Sequence, residues 1–311
     1  METRDDAGTL GAIGDTPLVE LPSARPTDGA PVYAKWEGAN PTGSVKDRMA
    51  LAMVRAAERR GDLAPGQPVV EATGGSTGAS LGLVCAVTDH PLYLVTADCY
   101  STEKLASMRA LGADLEVVET PSGSSYEGLY DDMRTRAEAI ASRTGAYFTD
   151  QFHNEDQLHG YDALGAEILA QCESVAAFVM TVGTGGCSMG VAAALAERRP
   201  DVEVTVVEPV ESPVVSEGQA GTHDVEGTAT LGAPPLVEPA LYDRVATVPE
   251  ADGKRRAAEL ARREGLLAGT STGLNVAAAS RVAADHDEGD AVVTVACDTG
   301  LKYVSGRTRE A

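Results

Sequence analysis

Residues 40–50 read Asn-Pro-Thr-Gly-Ser-Val-Lys-Asp-Arg-Met-Ala, a turn of Pro, Gly and Ser running into a helical pattern, and its Lys46 is one of five lysines in 311 residues. A primary amine acts as nucleophile or base once it loses its proton, and partial burial or a cationic neighbour favours that loss. Three further stretches place glycines and hydroxyls where a strand should feed a helix, the position at which backbone N–H groups and the helix dipole favour an anion. Glu71-Ala-Thr-Gly-Gly-Ser-Thr-Gly78 sets the hydroxyls of Thr73, Ser76 and Thr77 around Gly74 and Gly75, which suits a carboxylate. Gly183-Thr-Gly-Gly-Cys-Ser-Met-Gly190 sets Thr184 among the amides of Gly183, Gly185, Gly186 and Cys187, which suits a phosphate. Ala296-Cys-Asp-Thr-Gly-Leu-Lys-Tyr303 ends the last strand with the Thr299 hydroxyl and the Asp298 carboxylate, and Asp298 reads as a turn or capping group.

No one of these loops decides the chemistry, because a glycine-rich turn serves tight packing as readily as anion binding. Gly183, Gly185 and the acidic Glu208 also imitate a dinucleotide fingerprint, the basis of an alternative reading as a nicotinamide-binding oxidoreductase. That fingerprint needs a third glycine at position 188, where Ser188 stands. The five cysteines at 85, 99, 172, 187 and 297 form no Cys-x-x-Cys, and the five histidines form no His-Glu-x-x-His, so no metal site is expected. Cys187 reads as a small buried filler rather than a redox group.

The elements that must position these residues follow from periodicity. Short β-branched runs at 68–71, 93–97, 115–119, 146–149, 176–182, 202–208 and 291–297 alternate with alanine-rich helical stretches such as 44–60, 77–87, 126–144 and 189–199. That alternation predicts an α/β fold of parallel strands joined by crossover helices, in two lobes with a boundary near residue 150. The stretch 211–239 is rich in Gly, Pro and Thr and reads as one long functional loop.

Composition excludes some partners. Asp plus Glu outnumber Lys plus Arg by 47 to 25, and the net charge of −22 repels nucleic acid and anionic membranes. The acid is spread along the chain and lysine is scarce, which suits a protein held soluble in concentrated salt. No apolar run reaches the roughly 20 residues of a membrane span. The N-terminus Met-Glu-Thr-Arg-Asp-Asp lacks a signal pattern, so a cytoplasmic protein is expected.

Taken in order, Ile13-Gly-Asp-Thr-Pro-Leu18, Asn40 to Arg48, Glu71 to Gly78, Asp150-Gln-Phe152, Gly183 to Gly186, Gly269-Thr-Ser-Thr-Gly273 and Asp298-Thr-Gly300 closely resemble the cysteine synthase family, the fold-type II pyridoxal-phosphate enzymes that include cystathionine β-synthase. The resemblance spans nearly the whole chain. It implies two lobes, each a mostly parallel twisted sheet flanked by helices: a smaller, mobile substrate-binding lobe at 40–150, and a larger cofactor-binding lobe from 1–39 and 151–311. It implies pyridoxal 5'-phosphate held as a Schiff base on Lys46, its phosphate on Gly183, Thr184, Gly185, Gly186 and Cys187, its ring nitrogen at Thr299 and its phenolic oxygen at Ser76. Thr73, Gly74, Gly75, Thr77 and Gln151 fall at substrate-carboxylate positions.

The implied reaction is β-replacement: an activated serine such as O-acetylserine loses its β-substituent to give an α-aminoacrylate, and sulfide or another small nucleophile adds to form L-cysteine. Lys46 takes the α-proton and later returns it. A cysteine desulfhydrase or a serine or threonine dehydratase, working by β-elimination, is the alternative within the fold. Relatives are usually homodimers, and some bind serine acetyltransferase. This chain departs from the family at Gly74 (commonly Ser), Ser76 (commonly Asn), Cys187 (commonly Thr) and the loop 223–232, where Thr228 and Ala229 narrow the expected entry. These departures mark a divergent branch whose donor or nucleophile need not be O-acetylserine and sulfide.

Overall fold

The computed structural model describes residues 8–123, 126, 128–228, 232 and 234–305; Ala229 lies outside them. The chain runs β1 (Leu18–Glu20), β2 (Val32–Trp36), α1 (Lys46–Arg60), β3 (Val69–Ala72), α2 (Ser76–Thr88), β4 (Leu92–Ala97), α3 (Thr102–Ala110), β5 (Asp114–Val118), α4 (Leu129–Thr144) and β6 (Tyr147–Phe148). It continues through α5 (Asp156–Gln171), β7 (Val175–Thr181), α6 (Gly186–Arg198), β8 (Glu203–Pro209), β9 (Arg244–Val248), α7 (Glu250–Arg263), α8 (Thr270–Val282) and β10 (Ala291–Ala296). All seven strands expected from periodicity are present, each within one residue of its expected ends.

Two sheets form. One has four parallel strands in the order β5-β4-β3-β6, and the other has six in the order β1-β2-β10-β7-β8-β9. Only β1 runs antiparallel, paired with β2. Every residue of β3 and β10 is buried, as helices on both faces of a parallel sheet require. The last strand, β10, enters between β2 and β7, so the chain moves outward from β7 through β8 to β9 and then doubles back to β10 on the other side of β7. Open α/β sheets bind ligands outside the carboxyl ends of strands at such a switch point. The loops following β2, β7 and β10 all emerge there.

Helix α1 joins the two sheets by packing against both α2 and α5. It stops at Gly61, whose φ of +80° is the left-handed cap that glycine adopts without penalty. β1, β2 and β9 were not expected. β2 (Val-Tyr-Ala-Lys-Trp) hides behind Lys35, a charge that is fully buried here, while β1 is three residues long and β9 is a half-exposed edge. The described part of the 211–239 loop carries no strand or α-helix, and no helix among the described residues is long and apolar enough to cross a membrane.

The distributed acid leads to a prediction. Raising salt from 0.1 to 1 M shortens the Debye length from about 10 to 3 Å. At a net charge of −22 this should raise the melting temperature by at least roughly 4 °C, on the scale of a kcal/mol or more for a chain of this size. A flat or falling melting temperature between those salt concentrations would overturn the salt-adapted reading.

Candidate active site

The turn before α1 is tied down residue by residue. Asn40 donates through Nδ2 to the Glu37 carbonyl (3.0 Å) and carboxylate (2.7 Å). Gly43 has φ +73°, and a Cβ there would lie 2.5 Å from Cγ2 of Thr299, so only glycine lets the turn lie on the loop after β10. That contact is stitched by the Thr299 N–H donating to the Gly43 carbonyl (2.9 Å) and the Val45 N–H donating to the Cys297 carbonyl (2.8 Å). Asp47 accepts from the Thr42 N–H (2.8 Å) and from Ser80 Oγ (2.6 Å), and Arg48 binds Glu37 and Glu167. Lys46 stands among them as the first residue of α1, yet its ammonium makes no hydrogen bond or ion pair among the described residues. It is an amine held at a fixed place and left uncommitted.

Asp298 is the correction to the sequence reading. Its buried carboxylate accepts from Ser44 Oγ (2.6 Å), Ser76 Oγ (2.5 Å) and Tyr303 Oη (2.9 Å), so one residue ties the Lys46 turn, the start of α2 and the C-terminal segment together. Burial alone would push its carboxyl up; the charges of Lys302, Lys104 and Lys46 outweigh that and hold it well below the usual carboxylate range. The capping role falls instead to Thr299, whose hydroxyl accepts from the Leu301 N–H at 3.4 Å. Lys302 touches Ser76 Oγ at 3.4 Å, and burial lowers its pKa. Three of the five lysines thus surround one carboxylate, a convergence legible only as lysine scarcity in an acidic chain.

The loop between β3 and α2 carries Thr73, Gly74, Gly75, Ser76 and Thr77. Thr73 Oγ1 accepts from the Gly75 N–H (3.1 Å), and Thr77 Oγ1 donates to Gln151 Oε1 (2.7 Å). Gln151 in turn donates to the Ala72 carbonyl (3.0 Å). Beneath them Glu71 is fully buried; burial pushes its carboxyl up to about 7 against hydrogen bonds from Thr149 and from the amides of Ala72 and Gln151.

In the unfolded chain Glu71 ionises near 4.5, so the folded protein holds a proton that the unfolded chain has lost between pH 4.5 and about 7. This contribution to stability is full below the lower value and lost as pH rises to the upper, on the order of 3 kcal/mol. Glu71→Gln should flatten the dependence, seen as a smaller difference between urea midpoints at pH 5 and pH 7.5 than in the parent. An unchanged difference would assign the dependence to other groups.

The loop between β7 and α6 is built from glycines with no room for side chains. A Cβ on Gly183 would lie 2.3 Å from the Gly227 carbonyl and one on Gly186 2.0 Å from Gln157 Oε1, while Gly185 has φ +89°. The first amides of a helix lack intrahelical acceptors, and here Thr184 Oγ1 accepts from the Gly186 N–H (3.1 Å) while donating to Gln157 Oε1 (3.0 Å). Gln157 also donates to the Gln151 carbonyl (2.6 Å), which makes it the link between the two loops. Nothing in its sequence context marks it.

The Cys187 side chain is buried among Val45, Met49 and Tyr161, and burial holds its thiol well above the usual range, so it is an inert filler. Glu208 is already engaged by the amides of Val215 (2.6 Å) and Ser216 (3.1 Å) and does not face a ribose site. Thr228 is buried and donates to the Val225 carbonyl (3.1 Å), so it does not line an entry.

An uncommitted lysine amine, a side-chain-free cradle at a helix N-terminus and a neutral hydroxyl at the switch point fit pyridoxal phosphate: amine to aldehyde, cradle to phosphate, hydroxyl to ring nitrogen. Fold and site together define a pyridoxal-phosphate-dependent enzyme of fold type II. A family model described as "Pyridoxal-phosphate dependent enzyme" matches residues 9–298. A probable cysteine synthase of Bacillus subtilis (strain 168) is 36% identical over 304 residues, covering 96% of each chain.

Among solved structures, an O-ureido-L-serine synthase superposes with a TM-score of 0.89 at 33% identity, covering 96% of this chain and 94% of that one. A hydrogen sulfide-producing enzyme from Fusobacterium nucleatum gives 0.88 at 31%, covering 95% and 99%. The chain belongs to the cysteine synthase and cystathionine β-synthase family, and its cofactor is pyridoxal 5'-phosphate. The nicotinamide reading is set aside.

Proposed function

We propose that the protein forms L-cysteine from an activated serine of the O-acetylserine kind and sulfide by β-replacement. What supports this reading is the uncommitted amine of Lys46 at the start of α1, on a turn tied to the loop after β10, in a chain of this family. Gly183, Thr184, Gly185, Gly186 and the Cys187 amide hold the cofactor phosphate, Ser76 and Thr299 face its ring, and Lys46 anchors it. When bound, the cofactor supplies an electron sink for the substrate α-carbon. Thr73, Gly74, Gly75, Thr77 and Gln151 orient the substrate carboxylate, which leaves the α-proton to Lys46 Nζ as general base and later acid. The neutral hydroxyl of Thr299 does not keep the ring nitrogen protonated as a carboxylate would, which favours chemistry at the β-carbon.

The sheet β5-β4-β3-β6 lies within the proposed smaller lobe at 40–150. A homodimer is the proposed assembly and serine acetyltransferase a proposed partner. The testing experiment is the visible spectrum of the holoenzyme in high salt. A band that changes with O-acetylserine and returns with sulfide, with cysteine formed, supports the reading; a band indifferent to every activated serine sinks it. The likeness to a hydrogen sulfide-producing enzyme favours β-elimination as the second reading, and pyruvate and ammonia released without added sulfide would establish it.

A further inference from the structure

We infer that Tyr100 is a specificity-determining residue that contacts the substrate, its phenol supplying the hydroxyl that the carboxylate loop lacks at Gly74. The inference rests on the proposed function. Tyr100 lies just before α3, and its ring stands against the loop: a Cβ on Gly74 would be 2.6 Å from Cε1, 2.7 Å from Cζ and 3.1 Å from Cδ1. No side chain fits at 74 while the ring is there, and glycine at 74 is the condition for the tyrosine.

The ring edge Cδ1–Cε1–Cζ faces the loop, and Cζ carries the hydroxyl. Tyr100 is only partly buried, and its hydroxyl makes no hydrogen bond among the described residues, although neighbouring polar groups are paired. Lys104, one helical turn on, covers Gly75, where a Cβ would meet its Cδ at 2.5 Å; its ammonium binds Glu226 at 2.5 Å and lies 4.2 Å from the Tyr303 ring centroid. The lysine charge is therefore committed, and the open donor on this face is the phenol. Burial, then Cys99 and Glu226, raise the phenol pKa, so it remains a donor across the working range.

The chemistry this recognises is an α-amino acid whose carboxylate accepts from a phenol in place of an aliphatic hydroxyl. The ring also walls the loop and favours small β-substituents.

The test compares parent, Tyr100→Phe, Gly74→Ser and the double variant Gly74→Ser/Tyr100→Ala as holoenzymes, by spectral titration with O-acetyl-L-serine and by steady-state rates. Tyr100→Phe should raise KM and the titrated Kd about tenfold, the size of one hydrogen bond, with kcat within about twofold. Gly74→Ser should weaken donor binding by more than roughly tenfold, because its Cβ meets the ring well inside contact distance. Removing the ring in the double variant should restore most of that loss. Unchanged binding in Tyr100→Phe, or a double variant no better than Gly74→Ser alone, overturns the inference. A parent that responds to no amino acid would instead sink the proposed function, so the two failures are distinguishable.

Discussion

Lys46→Ala should yield a folded protein without the cofactor's visible band after desalting, and the proposed β-replacement at least about a thousandfold slower than in the parent. Proton transfer by a positioned side chain is worth roughly 10² to 10⁴ in rate, and Lys46 is asked to anchor the cofactor as well. The fold should change little, because Lys302 and Lys104 still hold the Asp298 carboxylate. Its side chain makes no polar contact among the described residues, and alanine is a favourable residue within a helix, so the urea midpoint should move by no more than a surface substitution moves it, about 0.5 kcal/mol. Thermal melts and single-turnover rates check both halves. A retained band, or a rate within tenfold of the parent, would remove Lys46 from the centre of the mechanism.

The second large effect is on stability, at a residue two positions away. Arg48 is buried and forks onto both carboxylates: Nε and Nη2 donate to Glu37 at 2.7 and 3.0 Å, Nη1 and Nη2 to Glu167 at 2.7 and 2.8 Å. Lys35, fully buried, adds a 2.7 Å pair to Glu167. Burial works against the Arg48 cation, and hydrogen bonds from it to Glu167 and Glu37 outweigh that and raise its pKa. The same partners pull Glu167 down to about 2 against its own burial.

Arg48→Met keeps the volume and leaves Glu37, which has no exposed surface, without its cation. Breaking a buried pair from one side costs about 3–5 kcal/mol, and a loss of that order is expected in urea unfolding. Arg48→Lys restores charge without the planar fork and should fall between parent and Met variant. A loss under about 1 kcal/mol would show that the turn holding Lys46 does not depend on this network.

The sequence disclosed the parts of this molecule that depend on local pattern. β-branched runs buried on both faces mark β3, β4, β7, β8 and β10, and glycines at strand-to-helix turns mark both anion loops because close backbone approach excludes a Cβ whatever the rest of the fold. What it hid depends on distance along the chain. Asp298 reads as a cap until Ser44 and Ser76, 254 and 222 residues away, are seen donating to it. Gln157 is one polar residue among many in α5 until it bridges the loops, and Lys35 masks β2 until Glu167 is found beside it. Tyr100 and Gly74 each look unremarkable alone; their meaning is steric and mutual.

The distribution of lysines has a consequence for handling the protein. Lys35, Lys104 and Lys302 are buried, and Lys46 is the proposed anchor of the cofactor, so in the holoenzyme Lys254 on α7 is the side-chain amine left to a reagent, restrained by Glu250 and Asp224. Amine-directed coupling of the holoenzyme to a solid support would therefore address α7 among the side chains rather than a scatter of surface lysines. An acylating reagent in excess would count, with the cofactor removed, one additional reactive site.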